Sequence, residues 1–179
     1  MQGFHPKFKD FPDFILGITH EIWEEKQVET LYHYYSEDIP VRSPSSLVIG
    51  NKAVINATHE TLSEFPDRQL LGEDVIWSGS PEEGMLSSHR IFSTATHLGA
   101  GGFGMPTGRK LRYRVIADCH AIANQINDEW LVRDFGGIVH QLGFDSKEFA
   151  LQQIRDEGGI ASCNKPFNAD MDIKGPYLG

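Results

Sequence analysis

A glycine-rich segment, residues 99–104, has the spacing G-x-G-x-x-G that binds the pyrophosphate of a dinucleotide in other proteins. That chemistry requires a strand before the loop and a helix after it, because the amides of the helix N-terminus meet the phosphates. Here residues 105–110 contain proline and glycine, and residues 111–117 are rich in β-branched and aromatic side chains. The pattern therefore predicts a loop between two strands, and nucleotide binding is not expected.

Histidines and cysteines are the next candidates for chemistry. His89 and His97 share one face of a predicted strand, but a separation of eight residues spans about 26 Å, too far for one metal ion. His59 lacks the second histidine of H-E-x-x-H, and Cys119 and Cys163 have no metal-site spacing. No metal site is expected. His97 ends its strand beside the glycine loop, where it would bond either a ligand or the loop backbone.

The first third of the chain, which must position these residues, is predicted to be helical. Apolar residues recur at helical spacing over residues 14–35, with a break near Lys26, and again over residues 54–65. Asn51 is expected to cap the helix that contains residues 54–65. A capping box predicts a last helix over residues 145–156.

After residue 66 the apolar period changes to two, which predicts four successive strands. The strands are expected at residues 70–77, 85–97, 111–122 and 125–135. Helices followed by antiparallel strands predict an α+β domain. We expect a strongly curved antiparallel sheet packed on the N-terminal helices as a cone, with an apolar pocket for a small molecule inside.

The composition limits the partners of this domain. A net charge of −9 disfavours nucleic acid as a partner, because the phosphate backbone attracts basic surfaces. No apolar run of signal-peptide or membrane-span length is found, so a cytoplasmic protein without membrane contact is expected. An edge strand and a patternless C-terminal tail both suit self-association, which predicts a homodimer or a higher homo-oligomer.

Three segments together resemble the signature of the SnoaL-like polyketide cyclases, a family with the cone-shaped nuclear-transport-factor-2-like fold. They are T-H-L-G at 96–99, G-M-P-T-G-R at 104–109, and Trp130 with D-F-G-G-I-V-H-Q-L-G at 134–143. The resemblance covers residues 11–143. Together with the predicted last helix and the patternless C-terminus, it gives the following expected organisation: an N-terminal arm (1–10), a SnoaL-like domain (11–143), a C-terminal helix (144–157) and an extended tail (158–179).

The resemblance also implies a chemistry. The best-known members of the family close a ring by aldol condensation without cofactor or metal, using a carboxylate whose pKa is raised by an apolar pocket. The expected function is cofactor-independent cyclisation, isomerisation or lyase chemistry on a small hydrophobic or aromatic carbon acid. Asp134 is the candidate base, with His97 or Tyr113 as its polar partner.

An ungapped match to the family favours a different outcome. It places the acid/base aspartate of the characterised cyclases at Leu131 and its histidine partner at Ala117. In that case the chain is expected to be a non-catalytic ligand-binding or assembly module of the same fold.

The hairpin before Asp134 can form in two registers, and these predict different surroundings for the Asp134 side chain. A two-residue turn at residues 123–124 places Asp134 opposite Tyr113 as a buried carboxylate, whereas a three-residue loop with a bulge places it opposite Arg112 as an ion pair. Tyr32, on the predicted N-terminal helices that cover the sheet, and Met105, in the glycine loop, are further candidates for contact with the ligand. The complete set of expected ligand-binding residues is Tyr32, Met105, Tyr113, Val115, Trp130, Leu131 and Val132.

Overall fold

The computed structural model describes residues 1–162, so most of the expected tail, with Cys163, lies outside the described residues. The chain divides into two compact units, Met1–Gly143 and the residues from Phe144 onward. The helices are α1 (Phe11–Trp23), α2 (Leu31–Tyr34), α3 (Asn51–Glu64), α4 (Phe135–Gln141) and α5 (Ser146–Asp156), with short 3₁₀ turns at Val28–Thr30 and Ile160–Ser162. The strands are β1 (Pro40–Ser43), β2 (Ser46–Ile49), β3 (Gln69–Ser80), β4 (Gly84–Thr96), β5 (Lys110–Ile122) and β6 (Gln125–Arg133).

Helix α1 supplies much of the core of the first unit. Its N-cap, Asp10, accepts a hydrogen bond from the Asp13 amide, and its apolar face packs on β3. Phe4 and Phe8 are also buried, with their rings edge-on to Phe14 at 5.0 and 5.2 Å between centroids. The residues expected to form an N-terminal arm therefore contribute to the core.

Helix α3 begins one residue earlier than expected. Gly50, with φ +90°, is its N-cap, and Asn51 is its first helical residue. The Asn51 side chain instead donates a hydrogen bond to the carbonyl of Tyr35, at 3.2 Å. The expected capping role of Asn51 is wrong, because the chain enters this helix through a left-handed conformation that glycine adopts without strain.

The sheet is curved, open and mixed, with the strand order β2-β1-β6-β5-β4-β3. Strands β3 to β6 form the expected antiparallel ladder. Strand β1 pairs with β6 in parallel, through Val41 with Glu129 and Arg42 with Trp130. The expectation of a purely antiparallel sheet therefore fails at this pair. The α+β class is confirmed.

The β5–β6 hairpin combines a predicted feature with an unpredicted one. Ala123 and Asn124 form the two-residue turn, both with positive φ, as a tight hairpin turn requires. One step into the ladder, however, Asn127 is an extra residue, since the pairing changes from Ala121 with Ile126 to His120 with Asp128. This β-bulge exchanges the two faces of β6, because side chains alternate along a strand.

Strand β6 also ends earlier than expected. The last paired residue is Arg133, opposite Val115, and Asp134 begins helix α4, which the sequence analysis did not predict. Neither expected position of Asp134, opposite Tyr113 or opposite Arg112, is found. The strand pattern extends too far because residues 134–135 continue its alternation, whereas the Asp134 side chain caps a helix.

Candidate functional site

His97 is part of a buried cluster that holds the glycine loop. Its Nε2 lies 3.2 Å from Oε1 of Glu64, at the end of α3, and its Nδ1 lies 3.2 Å from the hydroxyl of Thr107. The Glu64 carboxylate also accepts hydrogen bonds from the amides of Gly102 and Phe103. His97 is fully buried and is not among the residues that line the cavity described below. Its Nδ1 accepts a hydrogen bond from the Thr107 amide at 3.3 Å, so it bonds the loop backbone.

The glycines of the loop permit this close approach. A Cβ atom at Gly99 would collide with the carbonyl of Ser63, and one at Gly101 would collide with the carboxylate of Glu64. The loop joins strands β4 and β5, as expected. The G-x-G-x-x-G spacing therefore reflects packing of the loop on α3.

Asp134 also has a local structural partner. Its exposed carboxylate accepts a hydrogen bond from the amide of Gly137 at 2.9 Å and thereby caps α4. At the other end of α4, the Gln141 side chain bonds both the amide and the carbonyl of Arg112, each at 3.0 Å. These contacts attach α4 to β5.

The expected ligand-binding residues are divided between the inside and the outside of the molecule. Val115 and Leu131 line the cavity described below, and Tyr113 is buried next to it. Trp130 and Val132 face outward and are 53% and 54% exposed, because the bulge at Asn127 reverses their orientation. Tyr32 and Met105 are also exposed and do not line the cavity.

The first unit encloses a cavity of about 210 Å³ between α1, α3 and the inner face of the sheet. This volume is below the roughly 300–1,000 Å³ of drug-sized pockets. Most of its wall is apolar: Ile15, Ile18, Ile22, Leu31, Val41, Val48, Val54, Ala57, Leu70, Ile91, Val115, Ala117, Ile126 and Leu131.

Glu129 is a buried carboxylate in this cavity. Its position on β6 turns it inward because it follows the bulge, and Tyr35 Oη donates a hydrogen bond to its Oε2 at 2.8 Å. Burial raises the pKa of the Glu129 carboxyl, against the opposing effects of the Tyr35 hydrogen bond and of Arg133. Burial and the charge of Glu129 also raise the pKa of Tyr35 well above its usual value. A carboxylate with a raised pKa is a stronger base than a free carboxylate, and such a group can act in proton transfer.

His89 is the second titratable group of the cavity wall. Burial lowers its pKa to about 4, so the imidazole is neutral at pH 7. Its Nε2 has no hydrogen-bond partner among the described residues, and a Cβ at Gly72 would lie 2.9 Å from that atom. Gly72, next to a bulge in β3, therefore leaves the room that the imidazole occupies.

Arg68 is a buried cation in the cavity wall. Its guanidinium lies over the ring of Trp23, 4.5 Å from the centroid, and 5.9 Å from the ring of Tyr113. Burial lowers the pKa of Arg68 to about 10, which still leaves it charged at pH 7. Its Nε has no hydrogen-bond partner among the described residues.

The positions that the ungapped family match assigns to the acid/base pair lie side by side in the cavity. Ala117 pairs with Leu131 across β5 and β6, and both line the wall. Neither side chain can titrate. Glu129, two residues before Leu131 on the same face, and His89, directly opposite Ala117 on β4, carry the titratable groups of this part of the wall.

The sequence analysis missed Glu129, Tyr35 and Arg68 as site residues. A continuous alternation along residues 125–135 placed Glu129 outside, and only the bulge brings it inside. Asn127 and Asp128, both poor strand formers in mid-strand, were the signal for that bulge. Arg68 has no comparable signal, because it precedes β3 in a segment without periodicity.

Metal-binding clusters and membrane-spanning helices are both absent from residues 1–162. No group of three or more histidine, cysteine, aspartate or glutamate side chains in that range could hold a metal ion. Within the same range, no helix is both long and apolar enough to cross a bilayer.

The fold is similar to several solved structures. AclR, a candidate hydroxylase from Streptomyces galilaeus, is 20% identical with a TM-score of 0.62, over 74% of this chain and 94% of AclR. IdmH, a candidate polyketide cyclase from Streptomyces antibioticus, is 20% identical with a TM-score of 0.62, over 74% of this chain and 97% of IdmH. A SnoaL-like polyketide cyclase from Agrobacterium tumefaciens strain C58 is 17% identical with a TM-score of 0.58, over 74% and 97% of the two chains. At these identities the likeness concerns the fold.

The sequence itself matches a family model. A comparison with curated proteins gave no match. The model of SnoaL-like polyketide cyclases matches residues 13–142, which is most of the chain. These residues contain the sheet, the cavity and, except for Gly143, the three motif segments that resembled the family signature. The chain belongs to the SnoaL-like polyketide cyclase family.

Proposed function

We propose that this protein is a cofactor-independent enzyme that moves a proton on a small organic carbon acid, with Glu129 as the general base. The observation that carries the proposal is a buried carboxylate in an apolar cavity, hydrogen-bonded to a buried tyrosine. Aldol-type cyclisation, isomerisation and lyase chemistry all begin with this proton transfer. Asp134 has no part in it, because it is exposed and caps α4.

The proposed step begins with a substrate whose carbonyl group acidifies an adjacent C–H bond. Glu129 takes the proton, so the C–H electron pair forms an enolate and the carboxylate becomes a carboxylic acid. The Tyr35 hydroxyl, no longer bonded to a charged carboxylate, can then donate to the enolate oxygen. In a cyclisation the enolate carbon attacks a second carbonyl, and the alkoxide that forms receives the proton from Glu129.

The rest of the wall supports this chemistry by excluding water. Apolar side chains surround Glu129, which strengthens electrostatic interactions within the cavity. His89 is neutral near pH 7, so it adds no charge that would lower the basicity of the carboxylate. Cys119, which pairs with Glu129 across the strands, is a buried thiol whose pKa burial raises well above its usual value, so it is not a nucleophile.

A non-catalytic ligand-binding module is the second candidate function. It is favoured by the apolar pair Ala117 and Leu131, which occupies the positions of the family's acid/base residues. In that case the cavity binds a small apolar molecule, and Glu129 serves to hold Tyr35.

The test uses 2-tetralone, a bicyclic aromatic ketone with exchangeable C–H bonds beside its carbonyl. Deuterium incorporation in D₂O is followed by proton NMR. Wild-type protein is expected to accelerate the exchange, and Glu129→Gln to lower that acceleration by about 100-fold or more, as removal of a general base does. Asp134→Asn is the control and is expected to exchange at the wild-type rate.

The outcomes separate the two candidates. Exchange that is equally fast in Glu129→Gln contradicts the assignment of the base. Saturable binding of 2-tetralone without any exchange, in a protein whose melting curve shows it folded, supports the ligand-binding module instead.

A further inference from the structure

We propose that the natural ligand of the cavity carries a carboxylate, and that Arg68 binds this group. The proposed anion site does not depend on the protein being an enzyme. Only the statement that the acidic C–H of the ligand lies at Glu129 rests on the proposed function.

Arg68 is a buried cation without a counter-ion in the described part of the chain. Its residue exposure is 4%, and its Nε is buried without a hydrogen-bond partner. The groups that act on its charge are Tyr113 and Arg133, and no carboxylate is among them. An isolated buried charge is costly unless a partner neutralises it. The missing partner is therefore expected from outside residues 1–162, and a bound ligand can supply it.

The surroundings of Arg68 form a site for a planar anion. Trp23 stacks on one side of the guanidinium at 4.5 Å, and Tyr113 adds a second ring at 5.9 Å. These rings hold the guanidinium plane in position without using its N–H groups. A guanidinium held in this way can donate two parallel hydrogen bonds to a carboxylate.

Arg68 and Glu129 both line the cavity, so a single ligand can contact both groups. The carboxylate of the ligand is assigned to Arg68, and its acidic C–H bond to Glu129. The ligand therefore carries both groups on one small molecule.

A carboxylate fits this site better than a phosphate does. Glu129 and Arg133 both line the cavity and offset each other's charge, which leaves the stacked guanidinium of Arg68 to match one planar carboxylate. The apolar part of the cavity wall matches a ring system. The inferred substrate class is a small cyclic or aromatic carboxylic acid that also has an acidic C–H bond.

The experiment measures binding of 2-naphthoate and of its neutral counterpart, 2-naphthamide, by isothermal titration calorimetry. Wild-type protein is expected to bind the acid at least about tenfold more tightly. Arg68→Met, which removes the charge and keeps a long side chain, is expected to bind both compounds equally. Arg90→Met is the matched control, because Arg90 pairs with Glu73 on the surface and not in the cavity.

Equal binding of acid and amide by wild-type protein overturns the proposal, and so does an acid preference that survives in Arg68→Met. Tighter binding of 2-naphthyl phosphate than of 2-naphthoate overturns the carboxylate class. Glu129→Gln is expected to bind 2-naphthoate at least as tightly as wild type while it loses deuterium exchange of 2-tetralone. Naphthoate binding therefore tests the anion site, tetralone exchange tests the proposed base, and either proposal can be contradicted without the other.

Discussion

The loop end of the domain and its cavity use polar side chains in opposite ways. At the loop end, Glu64, Asp134 and Gln141 each bond backbone amides and hold a loop or a helix. In the cavity, Nε of Arg68 and Nε2 of His89 are buried with neither a hydrogen bond nor an ion-pair contact among residues 1–162, whereas Nε2 of His97 at the loop end lies 3.2 Å from Glu64. The first arrangement stabilises the fold, and the second costs stability.

This difference determines which part of the molecule the family motif describes. The motif segments flank the glycine loop and contain Asp134 and Gln141, whose contacts build the fold. The groups of the proposed site, Glu129 and Arg68, lie outside those segments. The resemblance therefore identifies the architecture, while the proposed reaction depends on residues that the motif does not include.

The largest expected effect is at the loop end. Glu64→Ala removes a buried carboxylate that accepts the amides of Gly102 and Phe103 and contacts His97. Loss of one partner of a buried pair is expected to lower the free energy of unfolding by about 3–5 kcal/mol. Chemical denaturation measures this change.

Glu60→Ala is the matched control, because Glu60 is exposed on the same helix and is expected to change stability little. Folded Glu64→Ala is expected to keep the cavity's preference for 2-naphthoate. A variant as stable as Glu60→Ala would show that the loop end does not depend on this carboxylate.

The next effect, in the cavity, is a loss of stability in acid. Because the pKa of His89 is lowered to about 4 from its usual value of 6.5, the unfolded chain binds this proton more readily than the native protein. The contribution of neutral His89 is present above pH 6.5 and is lost as the pH falls to about 4, by up to about 3 kcal/mol. Urea denaturation between pH 4 and 7 measures it.

His89→Leu is expected to reduce this pH dependence, whereas His59→Gln, at an exposed position, is expected to retain it. Curves of equal slope for wild type and His89→Leu would mean that other groups cause the acid sensitivity.

The sequence predicted the fold more completely than the site, for a physical reason. Long strands such as β4 and β5 have a strict alternation, and burial of one face enforces it. The inward face of β6 depends on one inserted residue, Asn127, which reverses every position after it. The predicted pocket residues Trp130 and Val132 are therefore outside, and Glu129 is inside.

The helix ends show the same limit at a smaller scale. Asp134 continues the alternation of β6 in the sequence, yet its side chain bonds Gly137 and starts α4. Arg68 precedes β3 and has no pattern at all, so only the folded chain brings it against Trp23. Periodic patterns predict elements, and contacts between distant segments need coordinates.

A smaller effect is expected from the proposed base. The raised pKa of Glu129 means that the native protein holds this proton more tightly than the unfolded chain does, so stability is lost as the pH rises through the native pKa. Glu129→Gln removes that charge and is expected to be more stable than wild type at pH 8, by about 1.4 kcal/mol for each unit of the shift. Thermal melts at pH 5 and pH 8 test this. A variant less stable than wild type at both pH values contradicts a buried carboxylate with a raised pKa.

The smallest expected effect is at Asp134. Asp134→Ala removes the N-cap of α4 and is expected to lower the free energy of unfolding by about 1 kcal/mol, whereas Asp134→Ser keeps a capping oxygen and most of the stability. Both variants are expected to bind 2-naphthoate and to exchange 2-tetralone as wild type does, because the residue lies outside the cavity. Loss of exchange in Asp134→Ala but not in Asp134→Ser would connect the capping contact to the cavity. Loss of exchange in both variants would indicate that the Asp134 carboxylate is the base, as the sequence analysis predicted.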